Sequence, residues 1–146
     1  MGSTHATHDL SPSAELAWGE ALDEMDRMRE QGDALGALKM ARKAWDILPE
    51  PKLHCSYAYI TAMPLLKTFI AAKDFEDGIA FADHLISTTP RSNEIPVFWV
   101  QKGILMYEQG DIENARAAFQ RAWDIGGTFG FADEDKKYLS LLPDRR

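Results

Sequence analysis

A tetrapeptide near the start of the chain, Glu30-Gln31-Gly32-Asp33, recurs 78 residues later as Glu108-Gln109-Gly110-Asp111. The residues Ala-Trp-Asp-Ile follow each copy at the same distance, at 44–47 and at 122–125. One offset that holds over the whole stretch indicates an internal repeat. Glycine permits the positive φ that ends a helix, and the aspartate after it can cap the next helix with its side chain. Each copy therefore predicts two helices joined by a tight turn.

A weaker copy lies between these two. Lys73-Asp74-Phe75 takes the place of the Gly-Asp pair, so the spacings between copies are 41 and then 37 residues. Gly78 and Ala82 follow Asp74 at the distances at which alanines follow the first Gly-Asp pair. Three copies meet the usual minimum for a stacked array of helical repeats.

Caps and helix breakers predict seven helices. They span 12–31, 33–48, 51–72, 74–88, 94–109, 111–125 and 133–142. Their order predicts an all-α fold of antiparallel hairpins, stacked as about three repeats, with the last helix covering the open end of the stack. Pro64 lies inside the third helix, where a kink is expected. We expect a disordered tail over 1–11 and a single domain over 12–146.

The third copy resembles the tetratricopeptide repeat family. The residues at the family's spacing are Trp99, Gly103, Gly110, Asp111, Ala115, Phe119 and Ala122. The first copy departs from the pattern, because Ala21 and Ala41 stand where the family has its tryptophan and its aromatic residue. The resemblance covers roughly 13–125 and implies a stack whose first helices line a concave groove.

The end of the chain has a narrower resemblance. Gly126 and Gly127 follow the last Ala-Trp-Asp-Ile, and the stretches 129–131 and 133–139 complete the pattern. This ending resembles that of small bacterial repeat proteins that are found beside secreted polymorphic toxins. The resemblance implies a role as the immunity partner of such a toxin.

Composition limits the class of partner. The 146 residues carry a formal net charge of −7, which argues against nucleic acid and anionic membranes as the main partner. A basic protein partner is compatible with this charge. The sequence contains a single cysteine, no apolar run long enough to span a bilayer and no secretory signal, so we expect a cytoplasmic protein.

Catalytic motifs are absent from the sequence. It contains no Gly-rich phosphate loop, no HExxH and no Gly-x-Ser-x-Gly. Cys55 follows His54, and His84 follows Asp83, but neighbours on a helix point apart and cannot act together. We therefore expect no enzyme activity, no catalytic residue, no cofactor and no metal site.

Two surfaces are candidates for partner binding: the acidic first helix and the concave groove. The residues selected from them are Trp18, Glu20, Asp23, Asp26, Arg29, Ile60, Met63, Lys67 and Tyr107. The groove was also expected to include Leu22, Ile70, Val97, Val100 and Ile104. Methionine adapts to a partner and tyrosine anchors one, so the groove suits an apolar helix or loop.

These observations favour a non-enzymatic protein-binding module. The leading hypothesis is an immunity protein that neutralises a basic toxin domain. The alternative is a secretion chaperone or adaptor that holds an unsecreted client. Exposed apolar groove surface could also drive self-association.

Overall fold

The computed structural model of the protein describes residues 9–88, 95–132, 134 and 136–142. Within these residues the fold is all-α, with no strand, which confirms the predicted class. The helices are α1 (Pro12–Glu30), α2 (Ala34–Ile47), α3 (Ala58–Ala71), α4 (Phe75–Thr88), α5 (Pro96–Gln109), α6 (Ile112–Gly126) and α7 (Lys136–Leu139). Most of the predicted disordered tail, residues 1–8, lies outside the described part of the chain.

The chain divides into two compact units, Met1–Ala72 and Lys73–Arg146. In the first unit, α2 packs against both α1 and α3. In the second unit, α5 packs against α4 and α6, and a 3-10 turn at Phe129–Phe131 packs on α5 and α6. The boundary falls inside the middle copy of the repeat, between α3 and α4. A single domain over 12–146 therefore stays a prediction.

The two Gly-Asp turns have the same backbone structure. Gly32 has φ 79° and Gly110 has φ 98°. Asp33 N–H donates to the carbonyl of Met28 at 2.8 Å, and Asp111 N–H donates to that of Met106 at 2.9 Å. These bonds satisfy carbonyls at the end of the first helix of each hairpin.

The aspartates of these turns also begin the second helix of each hairpin. The Asp33 carboxylate accepts the Gly36 N–H at 2.8 Å, and the Asp111 carboxylate accepts the Asn114 N–H at 3.3 Å. Each bond satisfies one of the N–H groups that a helix start leaves unpaired. One glycine and one aspartate thus end one helix and start the next.

Lys73 occupies the glycine position of the middle copy and also has a positive φ, 58°. The Gly78 N–H donates to the Asp74 carbonyl at 3.0 Å, as Ala37 N–H does to Asp33 at the same distance. A non-glycine residue in this conformation costs about 1 kcal/mol. The weak copy therefore keeps the turn of the other two without its preferred residue.

The third helix begins later than predicted. Residues 52–54 form a 3-10 turn, Cys55 is extended with ψ 137°, and α3 begins only at Ala58. Extended backbone at Cys55 interrupts the helix and accompanies burial of its side chain, which is 5% exposed. The last helix is also shorter than predicted, since α7 covers only Lys136–Leu139 and residues 133 and 135 lie outside the described part of the chain.

At two equivalent positions, the large and the small side chain have changed places between the α1–α2 hairpin and the α5–α6 hairpin. In the second unit, a Cβ at Gly103 would lie 2.5 Å from a ring carbon of Phe119, so this helix position must stay small. The equivalent positions 78 residues earlier are Met25 and Ala41, which are 2% and 1% exposed. In the α5–α6 hairpin the large side chain, Phe119, is on the second helix. In the α1–α2 hairpin the large side chain, Met25, is on the first helix.

This exchange predicts a coupled pair of substitutions. Gly103→Met should destabilise the protein by overpacking, and Phe119→Ala should cost about 3–5 kcal/mol through a cavity. The double variant recreates the Met25/Ala41 pair, so its loss should be smaller than the sum of the two by at least about 1 kcal/mol. Urea unfolding of the four proteins measures this coupling, and strictly additive losses would contradict it.

Candidate functional site

Helix α1 contacts the start of α3 in the first unit. The indole N–H of Trp18 donates to Thr61 Oγ1 at 2.9 Å, and the Thr61 hydroxyl donates to the Tyr57 carbonyl at 2.6 Å. The rings of Trp18 and Tyr57 lie 4.7 Å apart, and the Tyr57 hydroxyl donates to the Glu15 carboxylate. Glu15 precedes Trp18 along α1, and their partners Tyr57 and Thr61 follow one another in the same order. The two helices therefore run parallel.

The surface formed by these two helices contains most of the predicted partner-binding residues. We call it the α1–α3 face and define it by Trp18, Asp26, Arg29, Ile60, Met63 and Lys67. On α3, the spacing of three and seven residues from Ile60 places Met63 and Lys67 on the same side as Ile60. On α1, Arg29 lies eleven residues after Trp18 and shares its side of the helix, whereas Asp26 is turned about 80° from Trp18 and joins the face through its ion pair with Arg29.

The α1–α3 face combines apolar and charged side chains. Ile60 is 53% exposed, and Met63 is half-buried beside it. Asp26 and Arg29 form an exposed ion pair at 3.5 Å, which adds little to stability and leaves both groups accessible. Lys67 is also exposed. An apolar stripe bordered by both charges can accept a partner whose contact surface has an apolar centre and a polar rim.

Glu20 and Asp23 do not belong to this face. Successive residues of an α-helix are separated by about 100°, so Glu20 and Asp23 point away from Trp18, which faces α3. Both side chains are exposed. The acidic side of α1 and the α1–α3 face, which were alternatives in the sequence, are therefore centred on different sides of α1, and Trp18 borders both.

Tyr107 lies in the second unit, on α5. Its ring meets the Tyr138 ring edge-on at 5.5 Å, and the Lys137 ammonium lies 5.3 Å from its centroid. These contacts fasten α7 to α5, and Tyr107 remains half-buried. Two other expected groove residues, Val100 and Ile104, are 0% and 2% exposed, so their assignment to the groove was wrong. They face the core because α5 packs between α4 and α6.

The members of each candidate catalytic pair have different surroundings. Cys55 is buried and His54 is exposed. Asp83 pairs with Lys102 at 2.7 Å, and its neighbour His84 is exposed on α4. In the described part of the chain, no three His, Cys, Asp or Glu side chains are grouped to hold a metal ion.

None of the described helices has both the length and the apolar character needed to cross a bilayer.

Tyr57 is the residue of this site with a clear electrostatic perturbation. The hydrogen bond to the Glu15 carboxylate raises the pKa of the Tyr57 hydroxyl above its usual value of 10.0. Partial burial and the nearby charges of Glu15, Asp9 and Cys55 add smaller contributions in the same direction. The protonated hydroxyl is thus the form that holds α1 against α3.

Sequence patterns missed the residues that hold this face together. Thr61 is 1% exposed and follows Tyr57 by four residues, on the same side of the polypeptide. Asp9 also contacts this region, because its carboxylate accepts a hydrogen bond from the Ser56 hydroxyl, with 2.6 Å between the oxygens. A threonine in an otherwise apolar helix face is the one local signal that could have indicated a buried polar contact.

Comparisons with known proteins give no relative for this chain. No family model, no curated protein and no solved structure matches it. The resemblances described above are therefore the basis of any family assignment, which stays a prediction.

The Trp18–Thr61 hydrogen bond predicts the effect of an isosteric change. Thr61→Val keeps the shape of the side chain but leaves the part-buried Trp18 N–H without its acceptor, at a cost of about 1–3 kcal/mol in unfolding free energy. Thr61→Ser keeps the hydroxyl and serves as the matched control, with a smaller loss. Urea unfolding followed by tryptophan fluorescence measures both. An equal loss in the two variants would rule out a role for the hydrogen bond.

The raised pKa of Tyr57 predicts a loss of stability at alkaline pH. Because the folded-state pKa lies above the unfolded value, this contribution is fully present below about pH 10 and is lost as pH rises through the folded pKa. Tyr57→Phe lacks the titrating group. We therefore expect the free energy of unfolding to fall less steeply above pH 10 in Tyr57→Phe than in the wild type. Parallel urea titrations at several pH values measure the difference, and identical slopes would contradict it.

Proposed function

We propose that the protein is a non-catalytic protein-binding module and that the α1–α3 face holds its partner. The observation that carries this proposal is the stripe of Ile60, Met63 and Lys67 on α3, beside the Trp18 side of α1. Ile60 is 53% exposed, although it is a large apolar side chain in a well-formed helix. Large apolar and aromatic groups surrounded by charges are typical of the energetic centre of an interface.

The partner we propose is a folded, basic toxin domain that this protein neutralises in the cytoplasm. Two observations support this choice. Helix α1 carries six carboxylates against two arginines, and the whole chain has a net charge of −7. The end of the chain resembles small bacterial tetratricopeptide-type immunity proteins. An acidic inhibitor approaching a basic active site associates quickly, and its on-rate falls as salt is added.

A secretion chaperone is the second candidate function. It is favoured by a specific feature of α3, where Tyr59 and Ile60 are neighbours and are 50% and 53% exposed. Exposed apolar side chains of this size could shelter an apolar segment of a client before its secretion. The two functions differ in the state of the partner, which is folded for a toxin and partly unfolded for a client.

Affinity capture of the tagged protein from its own cells, followed by mass spectrometry, identifies the partner. The immunity function requires a single basic protein at stoichiometric level. Expression of that protein alone should stop growth, and coexpression with this chain should restore it. Hydrogen exchange of the captured partner then separates the two functions, because a folded toxin domain shows protected amides and a chaperone client does not.

Variants of the α1–α3 face test where the partner binds. Ile60→Ser removes the apolar centre and Asp26→Lys reverses a charge on the α1 part of the face, so each should weaken binding about 10-fold or more. Phe129→Ser is the matched control, because Phe129 is 74% exposed but lies in the second unit. Its effect on binding should stay below about 2-fold.

Biolayer interferometry with the purified partner gives the on-rate and the off-rate of each variant. Ile60→Ser should act mainly on the off-rate, and Asp26→Lys should act on the on-rate and on its salt dependence. Wild-type affinity in both variants would exclude the α1–α3 face. A partner that is neither toxic nor exported would exclude both proposed functions.

A further inference from the structure

One exposed side of α1 lies outside the α1–α3 face, and its only part in the proposed function is to add to the overall negative charge. Leu16, Glu20, Asp23 and Arg27 follow one another at intervals of four, three and four residues, so they form a single stripe along the helix. All four side chains are exposed, and Leu16 is 66% exposed. The stripe points away from Trp18 and therefore away from α3. Among the described ion pairs, the only one that involves a residue of this stripe joins Arg27 to Glu24, within α1.

Helix α2 carries a second stripe with the same intervals. It consists of Leu35, Lys39, Arg42 and Asp46. All four side chains are exposed, and Leu35 is 70% exposed. Leu16 and Leu35 are thus the most exposed large aliphatic side chains of the described residues. The opposite side of α2, with Ala37, Ala41 and Ala44, is buried.

The two stripes are complementary position by position when the helices are placed parallel. Leucine then meets leucine, Glu20 meets Lys39, Asp23 meets Arg42 and Arg27 meets Asp46. Within one chain, α1 and α2 are joined by a tight turn, run antiparallel and pack through their other sides. The stripes of a single molecule therefore cannot meet each other.

We propose that these stripes form an interface between two copies of the protein, with the α1 stripe of one copy on the α2 stripe of another. Charge complementarity selects this occupant. Two α1 stripes facing each other would oppose carboxylates, and two α2 stripes would oppose cations, whereas the mixed pairing satisfies three charge pairs around one apolar contact.

The shape of the surface supports the same pairing. A shallow depression runs along α1 and is lined by Leu16, Gly19, Glu20 and Asp23 of the stripe side, together with Pro12, Glu15 and Trp18. A second depression, lined by Lys39, Arg42, Lys43 and Asp46, runs along α2. A Cβ at Gly19 would meet no atom within 4 Å, so nothing inside the chain requires a glycine there. In the proposed pairing, the missing side chain gives a neighbouring helix room to approach.

The individual pairs differ in strength. The Arg42 guanidinium lies 4.9 Å from the ring centroid of Phe69 in its own chain, so its contact with Asp23 competes with that position. Glu20 and Lys39 lie next to the leucines and form the pair on which the test is built. Exposed charge pairs contribute little each, so the association is weak, reversible and reduced by salt.

Charge reversal tests the pairing directly. Glu20→Lys alone places lysine against lysine, and Lys39→Glu alone places glutamate against glutamate. Each should raise the dissociation constant for self-association about 10-fold. The double variant Glu20→Lys/Lys39→Glu restores opposite charges and should return to within about 2-fold of the wild type. An equimolar mixture of the two single variants should also associate, because every contact between unlike chains is then complementary.

Sedimentation velocity over a range of protein concentrations measures these constants, and circular dichroism verifies that each variant is folded. The matched controls are Glu113→Lys and Arg116→Glu, which reverse exposed charges on α6, and Ile60→Ser on the α1–α3 face. All three should associate as the wild type does, which separates this proposal from the partner-binding function. A monomeric wild type at every concentration, an unchanged constant in Glu20→Lys or a mixture no better than its components would each overturn it.

Discussion

The α1–α2 hairpin and the α5–α6 hairpin both depend on a turn in which one glycine and one aspartate satisfy the backbone of two helix ends. Gly32 and Gly110 supply the positive φ, and the following aspartate bonds backward to the first helix and forward to the second. Because the connection is this short, the turn fixes which residues of the paired helices meet. The alanines of α2 and α6 can then lie at the helix contact, where their small size allows close approach.

The position of α1 follows from this constraint. Its turn holds it against α2, and Trp18 holds it against α3 through a hydrogen bond to a residue 43 positions away. Two sides of the helix are thereby used for folding, and two remain exposed. One exposed side continues onto α3 as a mixed apolar and charged face, and the other is a separate stripe of one leucine, two carboxylates and one arginine. In the two proposals made above, one helix thus serves two different binding events.

Local patterns in the sequence were sufficient to predict the all-α class, the turns and the helix caps, because each is determined by a few adjacent residues. The start of α3 was missed, since the extended backbone at Cys55 accompanies burial in the tertiary fold and has no local signal. The candidate site was predicted only in part. Glu20 and Trp18 are near each other in sequence but lie on opposite sides of α1, and only the contact of Trp18 with Thr61 shows which side faces α3.

The exchange of side-chain size between the hairpins has a consequence for how a chain with an internal duplication assembles. In a chain with two similar hairpins, a helix of one hairpin can pair with a helix of the other, because their surfaces share a common pattern. Here α1 could not replace α5 against α6, since the Met25 side chain would occupy the space that Phe119 requires at Gly103. The converse mispairing, α5 against α2, would set Gly103 against Ala41 and leave a void. Steric mismatch thus directs each first helix to the second helix encoded next to it.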